Sequence, residues 1–463
     1  MARGGRKRAC FGMKNPSDHL QKRANCAILK REDSYHGDFG YIMQIVHYHE
    51  DFPLLPGLRV RAVIDPRAVT DNYRALLEPV LAVSPHTRAI AVVKSDAYGH
   101  GIRPVVGALL EEGCRFFAVA CIEEAVALRR LLRELMGDGA EADAQTDILV
   151  LGFTDPRNVT TLAGHSITAT LLSKDYAQSL LACAREAKVT VRVHAALDTG
   201  MNRIGYPAHT PEEIMQTVES LAALWKDCES CDGEGGLLPL GMFTHFARAD
   251  EDYATEMEDA DSLTMTQYAR YRAVLEGLAA KGVTPGFCHV CNSAASARFP
   301  LALPEGCMDG VRLGIGLYGY GIDPVHSDTG MTLSPAMELE TAVTHIHTLL
   351  PGETVGYGGT YTAETVRTLA TLPVGYADGW LRAFAGALVT FHTPEGDMTA
   401  PIVGRICMDQ CMADVTGIPV TVGTRVTLFG GHRQELEALA ERAGTIPYEL
   451  LCLITSRVPR VYS

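Results

Sequence analysis

Eight short apolar runs recur between residues 89 and 315, most of them separated by alanine- and leucine-rich stretches of helical spacing. They fall at 89–94, 116–120, 147–153, 167–171, 190–196, 238–244, 286–291 and 309–315. Runs this continuously apolar belong to strands buried on both faces, which calls for a parallel sheet covered by helices. Between two of them, Glu123–Leu135 sets Ala125, Leu128 and Leu135 on one helical face. Eight strand–helix units are the count that closes a (β/α)8 barrel of the TIM type. A doubly wound open sheet is the other fold with this alternation, because a count of runs does not reveal closure. The acidic, glycine-rich stretches 137–146 and 226–236 read as loop insertions.

Past residue 330 the helical rhythm stops. Short strands are predicted at 340–348, 366–374, 387–393, 401–407 and 424–429, with turn signals such as Pro351-Gly352 and Gly430-Gly431, and a helical segment near 435–443. The predicted organisation is a barrel over 58–330 and a mainly β C-terminal domain over 331–463. Arg59–Ile64 alternates and reads as a strand, after which Asp65 serves as N-cap and Pro66 as the first residue of a helix. Residues 1–57 differ from the rest. Arg3 to Arg31 carries nine lysines and arginines against one acid, Asp18, with no sustained period. The segment reads as a disordered extension, or as sequence upstream of a start at Met43; an organellar transit peptide is the other reading.

Composition excludes several classes. No stretch approaches the roughly 18 apolar residues that span a bilayer, and a net charge of −14 opposes general nucleic-acid affinity. The thirteen cysteines form no compact framework, which suits free thiols in the cytoplasm. Cys228–Cys231 and Cys288–Cys291 each have CxxC spacing but lie far apart in unlike surroundings, so no metal site is read from them.

Function in a barrel sits at the C-terminal ends of its strands. The first run delivers Lys94 there, followed by a turn holding Tyr98 and His100. Such a lysine either points into solvent or is held dry, where desolvation lowers its pKa and lets it form a Schiff base. Arg203, His245, Asn292-Ser293, Arg312 and Gly314-Ile315 fall at the other strand ends. Barrels bind phosphate in the loops after the last two strands, where Ser293, Gly314 and Ile315 lie. A lysine with a phosphate cradle on one barrel face points to pyridoxal 5'-phosphate.

From about residue 58 onward the chain resembles the alanine racemase family. The resemblance rests on Val93-Lys94 to Gly101, Asp198-Thr-Gly-Met-Asn-Arg203, Phe243-Thr-His-Phe-Ala247, Asn292-Ser293, Arg312-Leu-Gly-Ile315, Val355 to Tyr361, Gly375-Tyr376-Ala-Asp-Gly379, Gly404 to Asp409, Tyr448 and Arg457-Val-Pro-Arg460. It implies interconversion of L- and D-alanine by two bases flanking Cα. Lys94 would carry the cofactor as a Schiff base and serve the D side, and Tyr357 of the partner subunit would serve the L side. Tyr98, Ser293, Gly314, Ile315 and Tyr448 would hold the phosphate, with Asn292 beside them. His245 would stack on the cofactor ring and Arg312 would face its nitrogen. Arg203 and the Met408 backbone would orient the substrate carboxylate, and Tyr376 would line the entrance. A homodimer with shared sites follows, in the cytoplasm, supplying D-alanine for peptidoglycan. Arg312 argues against a decarboxylase, whose relatives use a carboxylate there. Racemisation of serine or another amino acid, or a non-catalytic cofactor carrier, are the alternatives. Two departures stand out: Ala196 occupies the place of a carbamylated lysine that supports the carboxylate-binding arginine, and Arg248 replaces a small residue near the entrance.

Overall fold

The computed structural model describes residues 44–45 and 59–463, apart from 138, 230–234, 253, 299–308 and 322–329. Eight parallel strands form the first half: β1 (Arg88–Val92), β2 (Phe116–Val119), β3 (Asp147–Val150), β4 (Ile167–Leu171), β5 (Thr190–Asp198), β6 (Gly236–Phe243), β7 (Phe287–His289) and β8 (Gly310–Leu313). Their order in the sheet is sequential, and both ends meet. β8 pairs with β1 in the register Arg312↔Ile90, and β4 pairs with β5 in the register Thr170↔His194. Closure removes the doubly wound alternative. Every residue of β2, β4 and β8 is buried, which accounts for their unbroken apolar sequences. The β5–β6 pairing shifts register between Val193 and His194. Gly241 stands opposite, where a Cβ would lie 2.2 Å from the Phe287 carbonyl oxygen and 2.9 Å from the His194 ring. Only glycine fits there.

The second half is built on a ten-stranded, mostly antiparallel sheet. Val60–Ile64 belongs to this sheet, not to the barrel that follows it in sequence. It runs antiparallel to Met337–Ala342 and parallel to Arg460–Tyr462. Its alternating burial is that of a strand with one face packed, so the reading that opens the barrel near residue 58 gives this strand to the wrong sheet. Of residues 1–57, Gln44–Ile45 pairs antiparallel with Val461 and Tyr462. The rest of that extension lies outside the described residues. The cap after Val60–Ile64 follows the sequence: Asp65 accepts the Arg67 N–H at 2.9 Å and Pro66 begins the helix Pro66–Val83.

The stretch 137–146 is not a loop. Gly139–Gln145 is helical, and the buried Arg129 guanidinium donates to the Ala142 carbonyl and to Thr146 while Arg133 grips Asp143. Alanine and glutamine favour the helix, and two arginines from the preceding helix fasten it. At the second stretch, the helix Pro211–Glu229 runs into 226–229, and 230–234 lie outside the described residues. Cys231 falls there too; Cys288 and Cys291 are buried. Among the described residues, no helix is long and apolar enough to cross a membrane.

Candidate active site

A cavity of about 490 Å³ opens at the C-terminal ends of the barrel strands. Ten of the thirteen site residues singled out from sequence line it: Lys94, Tyr98, Arg203, His245, Asn292, Ser293, Arg312, Gly314, Ile315 and Tyr448. Tyr448 comes from the helix Pro447–Leu453 of the C-terminal half.

Lys94 leaves β1 through a short helical turn of the wrong hand. Ser95, Asp96, Ala97 and Tyr98 have φ between +51° and +55°, and none is glycine. Left-handed conformation costs about 1–2 kcal/mol per such residue, so the turn must be held from outside. The Asp96 carboxylate accepts the Ile102 N–H at 2.7 Å, and the His100 ring donates to the Ala97 and Tyr98 carbonyls. From the C-terminal half, Arg460 Nε donates to the Gly99 carbonyl at 2.9 Å. Burial, and then the Arg203 guanidinium, lower the pKa of Lys94. That favours the neutral, nucleophilic amine.

On one side of the lysine lies a cradle. Ser293 Oγ accepts the Gly314 N–H at 2.8 Å and the Gly316 N–H at 3.3 Å. A Cβ at Gly314 would stand 3.1 Å from the Tyr98 hydroxyl, so the backbone approaches closely. The Tyr98 and Tyr448 rings are 6.3 Å apart, and neither hydroxyl has a hydrogen-bond partner among the described residues. Burial raises both pKa values above the usual tyrosine range, which keeps both as donors. Two tyrosine donors without acceptors among the described residues, Tyr98 buried and Tyr448 half-buried, beside a serine hydroxyl suit a phosphate.

Arg312 forms the floor. Its guanidinium donates to the carbonyls of His289, Thr244 and Val290 at 2.9, 2.7 and 2.7 Å. It also lies 2.7 Å from His289 Nδ1. Among the described residues no carboxylate pairs with it, and burial lowers its pKa only to about 10, so it remains a cation. Since arginine only donates, His289 Nδ1 must accept, which assigns the His289 proton to Nε2, 3.0 Å from His194 Nδ1. His245 stands 3.4 Å from Arg312. Burial, Arg312, Arg203 and Lys94 push its pKa down to about 3, so it is neutral. Gln267 clamps its loop, donating to the His245 carbonyl and accepting the Ala247 N–H, both at 2.9 Å.

Arg203 is exposed and makes no hydrogen bond or ion pair among the described residues. The buried Ala196, which also lines the cavity, offers none. The loop itself is fixed instead. Asp198 accepts the Gly200 and Asn202 N–H groups at 3.1 and 2.9 Å, and Arg270 donates to the Thr199 carbonyl at 2.7 Å. Arg248 does not line the cavity: its Nε is 3.2 Å from the buried Glu256 carboxylate.

Tyr357, Tyr376 and Met408 are not brought to this cavity. They are 71%, 41% and 53% exposed on the C-terminal half. Their loops adjoin, with the Tyr376 N–H donating to Cys407 and the Ala377 N–H to Met408. The Tyr376 turn is pinned by the buried Asp378, which Arg59 and Arg457 both grip.

Comparison with known proteins accounts for both halves. Residues 64–321 match the alanine racemase N-terminal domain and residues 336–462 the alanine racemase C-terminal domain. The chain belongs to the alanine racemase family. It is 36% identical over 397 residues to an alanine racemase of Clostridium novyi, covering 85% of this chain and 93% of that one. An alanine racemase of Desulfovibrio desulfuricans is 37% identical over 406 residues, 87% of this chain and 98% of the other. Among solved structures, an alanine racemase of Clostridium difficile superposes with a TM-score of 0.74 at 32% identity, covering 88% and 97% of the two chains. A histidine racemase of Leuconostoc mesenteroides gives 0.70 at 27% identity, covering 88% and 99%.

The family depends on pyridoxal phosphate, and the residues present fit that cofactor. An amine of lowered pKa, the cradle with its two partnerless tyrosine hydroxyls and the cation at the floor share one cavity. Sequence reasoning missed His194, His289 and Gln267, which orient the floor and wall. The two histidines sit inside the apolar runs 190–196 and 286–291, and a polar residue there requires a buried partner. Gln267 gave no signal, being one polar residue of a long helix.

Proposed function

We propose that the protein is a pyridoxal-phosphate-dependent amino-acid racemase whose substrate is alanine. The observation that carries this reading is the convergence of Lys94, the Tyr98–Ser293–Tyr448 cradle and Arg312 on one cavity. Bound there, pyridoxal phosphate supplies an electron sink that makes the proton on the substrate Cα acidic. Lys94 Nζ takes or returns that proton on one face. Tyr357 of a second copy does so on the other, which makes the working unit a homodimer. General acid–base help is worth about 10²–10⁴-fold per group. Arg203 and the Met408 N–H hold the substrate carboxylate. Arg312, a cation that no carboxylate among the described residues neutralises, opposes a second positive charge beside it and so favours proton return over other outcomes. Tyr376 narrows the entrance. The role that fits is supply of D-alanine for the cell wall from the cytoplasm.

The test is to incubate L-alanine in D₂O with purified protein and added pyridoxal phosphate, followed by chiral analysis. D-alanine carrying deuterium at Cα is the expected product. Turnover of serine or histidine in place of alanine would move the substrate assignment, and the histidine racemase likeness makes that panel the right one. Cofactor binding without turnover of any of them would make the protein a carrier.

A further inference from the structure

Glu124 has no part in the roles described so far. It lies in the first turn of the helix Ile122–Met136, which follows β2. A glutamate so placed ordinarily reaches back to the N–H that begins its own helix. Here the carboxylate does something less local. One oxygen accepts the Ala120 N–H at 2.8 Å. The other accepts the Ser95 N–H at 2.7 Å, 29 residues away on the neighbouring strand's loop.

Ser95 follows Lys94 directly and is the first of the four left-handed residues. Arg460 and His100 hold the far end of that turn through the carbonyls of Gly99, Ala97 and Tyr98. Glu124 grips its near end, where the lysine departs. Hydrogen bonds to a carboxylate are roughly twice as strong as neutral ones. One group thus joins the ends of β1 and β2 across the lysine's backbone.

We propose that Glu124 is a positioning residue for Lys94, fixing through the Ser95 N–H the backbone from which the amine reaches the cofactor. The proposal rests on the reading of Lys94 as the cofactor-bearing lysine. A glutamate that merely starts a helix would affect stability alone. A positioning glutamate affects the lysine in a protein that stays folded.

Glu124→Gln separates the two, since it keeps the shape but turns one acceptor into an N–H₂ group. In the cofactor-free protein, the Ser95 amide should exchange with solvent at least about tenfold faster than in wild type. Borohydride-trapped coupling of added pyridoxal phosphate to Lys94, followed by mass spectrometry, should slow at least about tenfold. In the loaded enzyme kcat should drop about tenfold or more with KM within about twofold, the mark of a misplaced reacting group. A lowered melting temperature with unchanged exchange, coupling and kcat would overturn the proposal. If the glutamine variant does not fold, Glu124→Asp, which keeps the charge but shortens the reach, is read by the same measurements. A wild type that never couples to the cofactor would defeat the racemase reading, while exchange at Ser95 would still decide whether the clamp exists.

Discussion

The two halves of the molecule present their chemistry in opposite ways. The barrel mouth is a finished interior: Tyr98, Ser293 and Arg312 are buried, and Arg312 and Ser293 are each met by several backbone groups. The C-terminal half presents Tyr357, Tyr376 and Met408 to solvent, on loops that are well fixed. Ordered backbone with exposed aromatic tips suits a surface made to complete something else. In the proposed reaction the barrel holds what the cofactor needs, and the exposed face supplies what is still lacking on the far side of Cα. In the proposed function that division puts the substrate at a seam between two copies.

Tyr357→Phe should separate the two halves most strongly. It should cost about 10²–10⁴-fold in racemisation while coupling of the cofactor to Lys94 proceeds as in wild type; equal loss of both would mean that the halves are not separate. Next comes Arg312→Lys, on the barrel side. A single ammonium cannot reach all the carbonyls now served, and each buried acceptor left unpaired costs about 1–3 kcal/mol. Urea unfolding should show a loss of about 2 kcal/mol or more; an unchanged midpoint would mean the floor is not preorganised.

Acid probes the barrel side through its buried histidines. His100, His194 and His245 have pKa values pushed to about 3 in the fold, from 6.5 when free, chiefly by burial. Between those limits the unfolded chain binds protons that the fold excludes, so stability is intact above about pH 6.5 and lost as pH falls toward 3. Each histidine removes about 1.4 kcal/mol per pH unit within that window. Unfolding at pH 5 should take up about three protons through these groups, and His194→Gln should lower that number by one. The smallest effect is expected from Arg248→Ala. Its guanidinium is engaged by Glu256 outside the cavity, so KM for alanine should stay within about twofold; a larger change would restore Arg248 as a gate.

Much of this was legible before the structure. Buried parallel strands leave unbroken apolar runs, so all eight barrel strands could be located, with ends shifted by a few residues. Closure could not, because it depends on pairing between Arg312 and Ile90, residues far apart in sequence. Val60–Ile64 carried a usable signal that proximity to the barrel obscured: strict alternation marks a strand with one packed face. The left-handed turn after Lys94 gave none, since Ser95, Asp96, Ala97 and Tyr98 are ordinary residues whose conformation is imposed by Glu124, Arg460 and His100. Ala196 showed that a support for Arg203 was missing, but not that the loop would be held at Asp198 and Thr199 instead.

Whether a working site is assembled from two copies is decided by complementation. Lys94→Ala and Tyr357→Phe would each be purified as inactive protein, then mixed under conditions that let subunits exchange. Random pairing makes about half of the dimers mixed, and each mixed dimer holds one intact site of two. A site shared between copies should restore about a quarter of wild-type activity. A mixture as inactive as either variant alone would contradict it.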